Sequence, residues 1–288
     1  MRLGIETGGT KILARLTSVD GEILDDARWP TTTPQAAEDL IVAFVEQATS
    51  PTRLTGIGLA AFGPLVVDRR NPDHGLMLPT SKPGWTGSNL GRGLSRRLDA
   101  PVLIDTDVNA AALAELTLGA GRGLPSLAYL TVGTGIGGGL ATTMGVLKGA
   151  MHPEVGHMRL VRAQDDTEAS ACPFHSDWAE GLAAGPALAA RLRGETLDGH
   201  PEVVERVADY IAQLAVSLVL TWSPHRIAIG GGVGAASGMI AAVRSAFKLA
   251  LGSYGVGAAA RAEDFIVSPI LADAGLEGAL LLAAQSEA

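Results

Sequence analysis

The sequence predicts an α/β protein of two related halves, each with a mixed β-sheet covered by helices. Each half opens with a strand, a glycine turn and a second strand, first around Gly8-Gly9 and again around residues 133–139. Strand and helix patterns then alternate, which is typical of sheets with helices packed on them. The chain has 288 residues, of which 47% are hydrophobic, so it is long enough to form two domains with substantial cores.

The first half contains five predicted strands and two predicted helices. The turn signals Gly8-Gly9-Thr10 and Asp20-Gly21 separate its first three strands. A stripe of apolar residues at helical spacing, from Leu40 to Val45, predicts a helix after them. In chain order the predicted elements are strands 3–6, 12–16 and 23–29, a helix over 36–48, strands 57–61 and 102–105, and a helix from about Asn109.

The second half repeats the opening pattern and ends in an apolar helix. Its predicted elements are a strand at 127–131, a turn over 133–139, a returning strand at 140–144, a helix over 202–222, a strand at 227–229 followed by the glycine run 230–234, a helix over 238–251, a strand at 266–270 and a helix beginning near Leu276. Residues 152–188 mix Pro, Asp, Ser and the single cysteine, and this irregular composition predicts a functional insertion.

These patterns also predict where the domains divide. A boundary between residues 109 and 123 separates the two repeats, and we expect the C-terminal helix to return to the first domain. The small N-terminal domain is therefore predicted to comprise residues 1–112 plus about 272–288. The large C-terminal domain is predicted to comprise 113–271, with the insertion 152–188.

Composition excludes several classes of protein. The net charge is −8, from 22 basic and 30 acidic residues, and no basic tract occurs, so nucleic acid is not an expected partner. A single cysteine, Cys172, forms no intrachain disulfide and fits a reducing cytoplasm. The chain enters a strand directly, without a signal peptide, and its apolar stretches are interrupted by Gly, Ser or charge. We therefore expect a cytoplasmic protein without a membrane span.

The glycine turns are candidate phosphate sites. Glycine lets the backbone approach phosphate oxygens, and the exposed N–H groups donate to them. Gly8-Gly9 taken alone could be a simple hairpin, and no segment matches the P-loop pattern. The turn after residue 132 adds the hydroxyl of Thr134, and the glycine run 230–234 follows a third strand. Together the three turns favour phosphate binding.

Asp107 has two interpretations. It precedes a run of strong helix formers, so it could be a helix N-cap. It also follows a strand, at the end where α/β sheets bind ligands, so it could be a general base that accepts a hydroxyl proton. Asn109 could hold sugar hydroxyls or begin the helix. Glu154 and His157 could form a surface ion pair, a buried histidine site, or a pair that hydrogen-bonds vicinal hydroxyls.

Cys172-Pro173-Phe174-His175 carries metal-ligand spacing. With His157 it offers three zinc ligands, whereas a structural zinc site normally has four. From spacing alone, both a zinc site and its absence stay open.

Eight motifs in order along the chain resemble the ROK sugar kinases, most closely their bacterial fructokinase branch. They cover nearly the whole chain and are, in order, I-E-T-G-G-T-K (5–11), G-L-A-A-F-G-P (58–64), K-P-G-W (82–85), T-D-V-N-A-A-A-L-A-E (106–115), T-V-G-T-G-I-G-G-G (131–139), H-P-E-V-G-H (152–157), C-P-F-H-S-D-W-A-E-G-L-A-A-G-P-A (172–187) and A-G-L-E-G-A (274–279).

The resemblance implies an actin-like, ribonuclease-H-like kinase of two domains with an interdomain cleft. It implies ATP and Mg²⁺ as ligands, a homodimer, and phosphoryl transfer to the 6-hydroxyl of a hexose, which is fructose in this branch. The alternatives are a ROK kinase for another hexose, mannose or glucose, and a non-catalytic sugar-binding or regulatory protein.

The resemblance also assigns residues. Asp107 matches the catalytic base. The ATP-binding positions are matched by Gly8, Gly9, Thr10, Lys11, Gly133, Thr134, Gly135, Pro186, Gly230, Gly231, Gly232, Val233 and Gly234. The sugar-side positions are matched by Gly63, Thr106, Asn109, Glu154, His157 and Glu180. Thr106 stands where the glucokinases have Asn, and the fructokinase branch shares this Thr.

One departure concerns zinc. The fructokinase branch uses a histidine followed by C-x-x-H-x-x-C, and here the final position is Trp178. His157, Cys172 and His175 remain. Either Asp177 completes the site, since Zn²⁺ accepts a carboxylate oxygen, or Trp178 fills the space and the site holds no metal. We expect zinc to be weak or absent.

Overall fold

The computed structural model describes residues 1–48, 53–255 and 258–287, and within these ranges the chain forms ten strands and nine α-helices. In chain order they are β1 (Arg2–Thr7), β2 (Lys11–Thr17), β3 (Ile23–Pro30), α1 (Pro34–Gln47), β4 (Gly56–Ala61), α2 (Leu90–Leu98), β5 (Val102–Thr106), α3 (Asp107–Thr117), β6 (Ser126–Val132), β7 (Ile136–Thr142), β8 (Gly145–Val146), α4 (Ala179–Ala183), α5 (Gly185–Leu192), α6 (Pro201–Trp222), β9 (Ile227–Gly230), α7 (Gly231–Gly234), α8 (Met239–Leu251), β10 (Ile266–Val267) and α9 (Ala274–Gln285).

Two five-stranded sheets have the same strand order. The first runs β3-β2-β1-β4-β5 and the second β8-β7-β6-β9-β10, so each strand of the second sheet is the fifth after its counterpart in the first. In both sheets the first strand pairs antiparallel with the second and parallel with the fourth. The predicted architecture of two related mixed sheets is therefore confirmed.

The chain divides into two compact units by its internal contacts. Unit 1 contains Met1–Ala114, Val146–His152 and the chain from Leu271, and unit 2 contains Glu115–Gly145 and Pro153–Ile270. Compact units are not the same as domains that fold separately, so the domain boundaries predicted above stay a prediction. Residue 288, which the predicted N-terminal domain includes, lies outside the described residues.

The core of unit 1 forms on both faces of its sheet. On one face, Leu3 and Ile5 of β1 pack with Ile57 and Leu59 of β4 beneath α1 and α2. Helix α1 begins where the Thr33 hydroxyl accepts from the Ala36 N–H, and Pro34 occupies its first turn. Its buried residues recur at helical spacing and so present one apolar stripe to the sheet.

The opposite face of this sheet lies unusually close to α9. A Cβ atom at Gly4 would come within 2.7 Å of the Leu280 side chain, and one at Gly58 would overlap the Ala279 carbonyl oxygen. Gly56 meets the same helix at the Ala283 carbonyl. The three glycines therefore let the backbone of α9 rest directly on β1 and β4.

The core of unit 2 centres on α6. This 22-residue helix buries ten side chains, including Tyr210, against β6, β9 and α8. Leu130 and Ile229 lie fully buried on the neighbouring parallel strands β6 and β9. Although α6 is long, no helix among the described residues is both long and apolar enough to cross a membrane.

Several element boundaries differ from the sequence expectation. The turn predicted over 133–139 ends at Gly135, because the returning strand β7 begins at Ile136 and runs only to Thr142, not to residue 144. The glycines at 137–139 lie in that strand, where Gly138 packs against Val155. The strand predicted at 266–270 has two residues, and the run 231–234 forms a helical turn.

The insertion 152–188 is less irregular than predicted. It contains a 3-10 turn at Val155–His157, helix α4 and the start of α5. Helix α2 was not predicted, because its sequence contains Gly91 and Gly93. A Cβ at Gly91 would collide with the Ile104 side chain, and one at Gly93 with the Glu38 side chain, so both glycines allow the helix to pack closely. The Asn89 side chain caps this helix.

Candidate active site

In unit 1, the predicted site residues follow three neighbouring parallel strands. Thr7, Ala61 and Thr106 are aligned in one row across β1, β4 and β5. The segment from Gly8 therefore leaves the same edge of the sheet as Gly63 and Asp107. This is the carboxyl edge, where open α/β sheets bind ligands.

The turn from Gly8 to Lys11 forms the hairpin between β1 and β2. The Gly8 N–H donates to the Lys11 carbonyl at 2.8 Å, and the Thr31 hydroxyl donates to the Gly8 carbonyl at 2.7 Å. Gly9 and Thr10 are exposed at its tip. The Lys11 ammonium lies 3.7 Å from the Asp273 carboxylate, just before α9. The turn thus presents backbone groups and a cation at the edge of the sheet.

Asp107 is the first residue of α3, and its neighbour Thr106 caps the helix. The Thr106 hydroxyl accepts from the Asn109 N–H at 3.2 Å, so the N-cap interpretation of Asp107 is wrong. The helix also begins two residues earlier than predicted. The Asp107 carboxylate is half-buried and accepts from the Val108 N–H at 2.8 Å.

Asp105 forms hydrogen bonds with the residues at the start of α3. This residue was not identified from the sequence as part of the site. Its carboxylate is buried and accepts from the Thr106 N–H at 2.9 Å and from the Asn109 side-chain amide at 2.7 Å. Its second oxygen pairs with the Lys148 ammonium at 2.7 Å. Asn109 itself is fully buried, and its Oδ1 atom has no hydrogen-bond partner among the described residues.

Glu6 is a second acid that sequence reasoning missed. It is the second-last residue of β1, just before the glycine hairpin, and burial raises the pKa of its carboxyl, opposed by the nearby Lys11 ammonium. The backbone N–H of Leu276, in the first turn of α9, also donates to it. A Cβ at Gly275 would lie 3.0 Å from both carboxyl oxygens, so glycine leaves room for this acid at the helix end.

In unit 2, three glycine segments converge on Gly133. This residue follows β6, and Gly231 follows the parallel neighbour β9, so both lie at the carboxyl edge of the second sheet. The Gly185 N–H donates to the Gly133 carbonyl at 2.7 Å, which places Pro186 and the start of α5 beside the turn. A Cβ at Gly133 would lie 3.7 Å from the Gly232 nitrogen. Thr134 stands exposed at the turn's tip.

The remaining members of the glycine run continue from this point. Gly230 ends β9, where a side chain would meet the Tyr129 ring, and Val233 and Gly234 are buried in the short helix α7. The structure therefore brings all the predicted ATP-binding residues of unit 2 to one region.

Glu180 holds the same glycine turn. It lies in the first turn of α4, and its Oε2 atom accepts from the Ile136 N–H at 2.9 Å. A Cβ at Gly135 would be 2.6 Å from that oxygen, so any larger residue there would displace the carboxylate. Glu180, which the resemblance assigns to the sugar side, therefore also contacts the glycine turn.

Glu154 directly precedes the 3-10 turn in unit 2, and His157 is its last residue. The His157 Nε2 atom lies 3.9 Å from a Glu154 carboxylate oxygen, which is too long for a hydrogen bond. Both side chains are about one-third exposed, at 35% and 38%. Both side chains are therefore accessible to solvent, as a pair that binds hydroxyls requires.

The same imidazole also lies beside the candidate zinc ligands. The ligand atoms of His157, Cys172 and His175 lie within 4.8 Å of one another, with 3.8 Å between the Cys172 sulfur and His175 Nδ1. His157 Nδ1 is buried, and no described residue hydrogen-bonds to it. This orphaned nitrogen and the thiol suit a metal such as zinc.

Among the residues that the structure describes, no fourth ligand joins these three. Trp178 stacks on His175, with ring centroids 3.1 Å apart and an angle of 4° between the planes. Asp177, the alternative ligand, directs its carboxylate to Arg159 at 2.6 Å. The cluster therefore fits a metal with three donors and lacks the fourth that a structural zinc site normally has.

Comparison with known proteins identifies the family. The ROK family profile matches residues 2–286, and the chain belongs to the ROK family. A fructokinase from Zymomonas mobilis is 39% identical over 291 aligned residues, which cover 98% of this chain and 96% of that protein.

Solved structures of the family share the fold. The ROK hexokinase from Thermus thermophilus is 31% identical, with a TM-score of 0.78 over 98% of this chain and 97% of that one. A ROK family glucokinase from Streptomyces griseus, solved in complex with glucose and AMPPNP, is 26% identical, with a TM-score of 0.76 over 99% of both chains. The predicted actin-like sugar-kinase fold is confirmed.

Proposed function

We propose that this protein is an ATP-dependent fructokinase that converts D-fructose to fructose 6-phosphate, with Asp107 as the general base. The observation that carries the proposal is the position of Asp107, beside the glycine hairpin at the carboxyl edge of β1, β4 and β5, in a chain of the ROK family. The identity of 39% to a fructokinase, over nearly the full length of both chains, supports fructose as the sugar.

Asp107 would accept the proton of the 6-hydroxyl as that oxygen attacks the γ-phosphorus of ATP. Positioning and charge stabilisation supply most of the catalysis in phosphoryl transfer, so the base needs a fixed place more than an unusual pKa. The Thr106 cap and the bond from the Val108 N–H give its carboxylate that fixed place. Gly63, Glu154, His157 and Glu180 would hold the remaining sugar hydroxyls.

The glycine turns would bind the nucleotide. In each unit the turn exposes backbone N–H groups at the carboxyl edge of a sheet, which suits phosphate oxygens. Thr10, Lys11 and Thr134 add a hydroxyl, an ammonium and a second hydroxyl, while the start of α5 and the run after β9 would line the remainder of the ATP site.

Magnesium would accompany ATP and neutralise charge on its phosphates. Mg²⁺ takes oxygen ligands, often one or two carboxylates together with phosphates and waters. Glu6 lies one residue before the end of β1, and Asp107 directly follows β5, so this edge of the sheet in unit 1 offers two carboxylates to the ion.

Release of ADP during incubation with fructose, ATP and Mg²⁺ tests the proposal. The values of kcat/KM for fructose, mannose and glucose are compared, and the value for fructose is expected to be the highest. The similarity to a glucokinase solved with glucose keeps a kinase for another hexose as the second candidate, and a lead for glucose or mannose would favour it. Binding of sugar without ADP release would instead support a non-catalytic protein.

Zinc is proposed to bind weakly or not at all. We expect purified protein to contain well under one zinc per chain, because Trp178 occupies the position of the fourth ligand and Asp177 pairs with Arg159. Trp178→Cys would complete four donors with His157, Cys172 and His175, and this variant is expected to purify with close to one zinc per chain. Elemental analysis of the parent protein and of Trp178→Cys measures the zinc content of each.

The zinc measurement has a matched control. Trp178→Ala removes the ring without adding a donor and is expected to stay as low in zinc as the parent. Near-stoichiometric zinc in the parent protein would contradict the prediction, as would equal zinc in the cysteine and alanine variants. The homodimer and the cytoplasmic location implied by the family also belong to the proposal.

A further inference from the structure

Asp105 and Lys148 form an ion pair beside the proposed base. The Asp105 side chain is 1% exposed and that of Lys148 is 24% exposed, with 2.7 Å between ammonium nitrogen and carboxylate oxygen. Neither residue belongs to the motifs that match ATP or sugar positions. Burying a charged pair is costly unless its geometry and further hydrogen bonds compensate, so the pair invites a functional explanation.

The contacts of Asp105 lie on both sides of Asp107 in the chain. One oxygen accepts from the Thr106 N–H, one residue before the base, and from the Asn109 amide, two residues after it. The Thr106 hydroxyl in turn accepts from the Asn109 N–H. These three bonds close a small network around the turn of backbone that carries Asp107.

Lys148 reaches this network from a separate segment of unit 1. Val146–His152 packs in unit 1, although the residues before and after it belong to unit 2. The segment is held at its far end by His152, whose buried Nε2 atom accepts from the Leu65 N–H at 3.2 Å. Lys148 therefore has a fixed place from which to hold the second oxygen of Asp105.

We propose that Lys148, acting through Asp105, is a positioning residue that fixes the orientation of the Asp107 carboxylate during phosphoryl transfer. The ammonium holds one oxygen of the Asp105 carboxylate, so that the other oxygen stays turned toward both bonds around the base. This inference rests on the proposed kinase function. It assigns no substrate contact to Lys148.

Removal of the ammonium is expected to slow the chemical step. In Lys148→Met the buried Asp105 carboxylate loses the partner of its second oxygen and can rotate, so the network around residue 107 loosens. We expect kcat to fall about 10- to 100-fold, as a displacement near 1 Å can produce, while the KM for ATP stays unchanged. Hydrogen exchange at the Thr106 and Asn109 amides is expected to speed up, and this readout needs no substrate.

Two further variants separate positioning from simple stability. Asp105→Asn leaves the partly exposed Lys148 ammonium able to turn to solvent, so this variant is expected to fold and to lose kcat to a similar degree. The double variant Asp105→Asn/Lys148→Met removes both charges, and neutral replacement of buried pairs is often tolerated. Because Lys148 acts through Asp105, the two losses are not expected to add, and the kcat of the double variant should match that of either single variant. Lys248→Met, which breaks the exposed pair with Glu263, is the matched control and should match the parent.

The outcomes are distinct. A lower unfolding temperature in Lys148→Met with unchanged kcat and unchanged amide exchange would overturn the proposal, because a purely structural pair behaves in this way. A double variant whose loss of kcat equals the product of the two single losses would also overturn it, since Lys148 would then act independently of Asp105. Kinetics are measured with whichever hexose the parent phosphorylates. If the parent phosphorylates none, the kinase proposal fails, and amide exchange still reports on the network.

Discussion

Asp107→Asn is expected to bind fructose and ATP like the parent protein while its kcat falls by about 10²–10⁴-fold, the usual contribution of a positioned acid or base. The fold should persist, because the asparagine Oδ1 atom can still accept from the Val108 N–H and the helix cap belongs to Thr106. Steady-state kinetics give the loss in kcat, and calorimetric titration with fructose gives the affinity.

A control for the change of charge is available in Asp198→Asn, because Asp198 is exposed in the segment between α5 and α6. That variant is expected to keep the parent kcat. Turnover of Asp107→Asn close to that of the parent would remove Asp107 from the mechanism. A loss of fructose affinity equal to the loss of turnover would make Asp107 a binding residue and not a base.

Gly58→Ala is expected to cost about 3 kcal/mol of stability, near the upper end for overpacked cores. The new Cβ would overlap the Ala279 carbonyl oxygen and lie 2.6 Å from the Ala283 nitrogen, and both are backbone atoms of α9. No side-chain rotation relieves such a contact, so the helix must move off the sheet. The unfolding temperature should fall by about 6–12 °C, and scanning calorimetry measures it.

Gly149→Ala is the matched control, because a Cβ at that position would meet no atom within 4 Å. We expect it to change stability by no more than about 0.5 kcal/mol, as is usual for surface substitutions. An equally small effect in Gly58→Ala would show that α9 can shift on β4 without loss, against the close packing described above.

The sequence was most informative where local pattern and global fold agree. Strands β1, β2 and β4 are short apolar runs bounded by glycine, and the helix α6 has a long apolar stripe, so both kinds of element could be predicted close to their observed bounds. The two-half architecture followed from one repeated pattern. In the candidate site, the glycine turns were recognisable because their composition differs so much from the strands around them.

Other features depend on contacts that are distant in sequence. Helix α2 contains two glycines that oppose helix formation in isolation, and only tight packing against Ile104 and Glu38 explains them. The pair between Asp105 and Lys148 joins residues 43 positions apart. Likewise, Asp107 could be read as a cap until the structure showed the Thr106 hydroxyl in that place.

The discontinuity of unit 1 has a consequence for how the chain matures on the ribosome. Strands β1 and β4 emerge early, yet α9, which covers one face of both, is synthesised after every residue of unit 2. Domains generally fold as units during translation. Unit 2 is therefore expected to complete its core first, although it starts later in the chain than unit 1. Until α9 has been synthesised, one apolar face of the nascent N-terminal sheet stays exposed, and we expect chaperones to bind it.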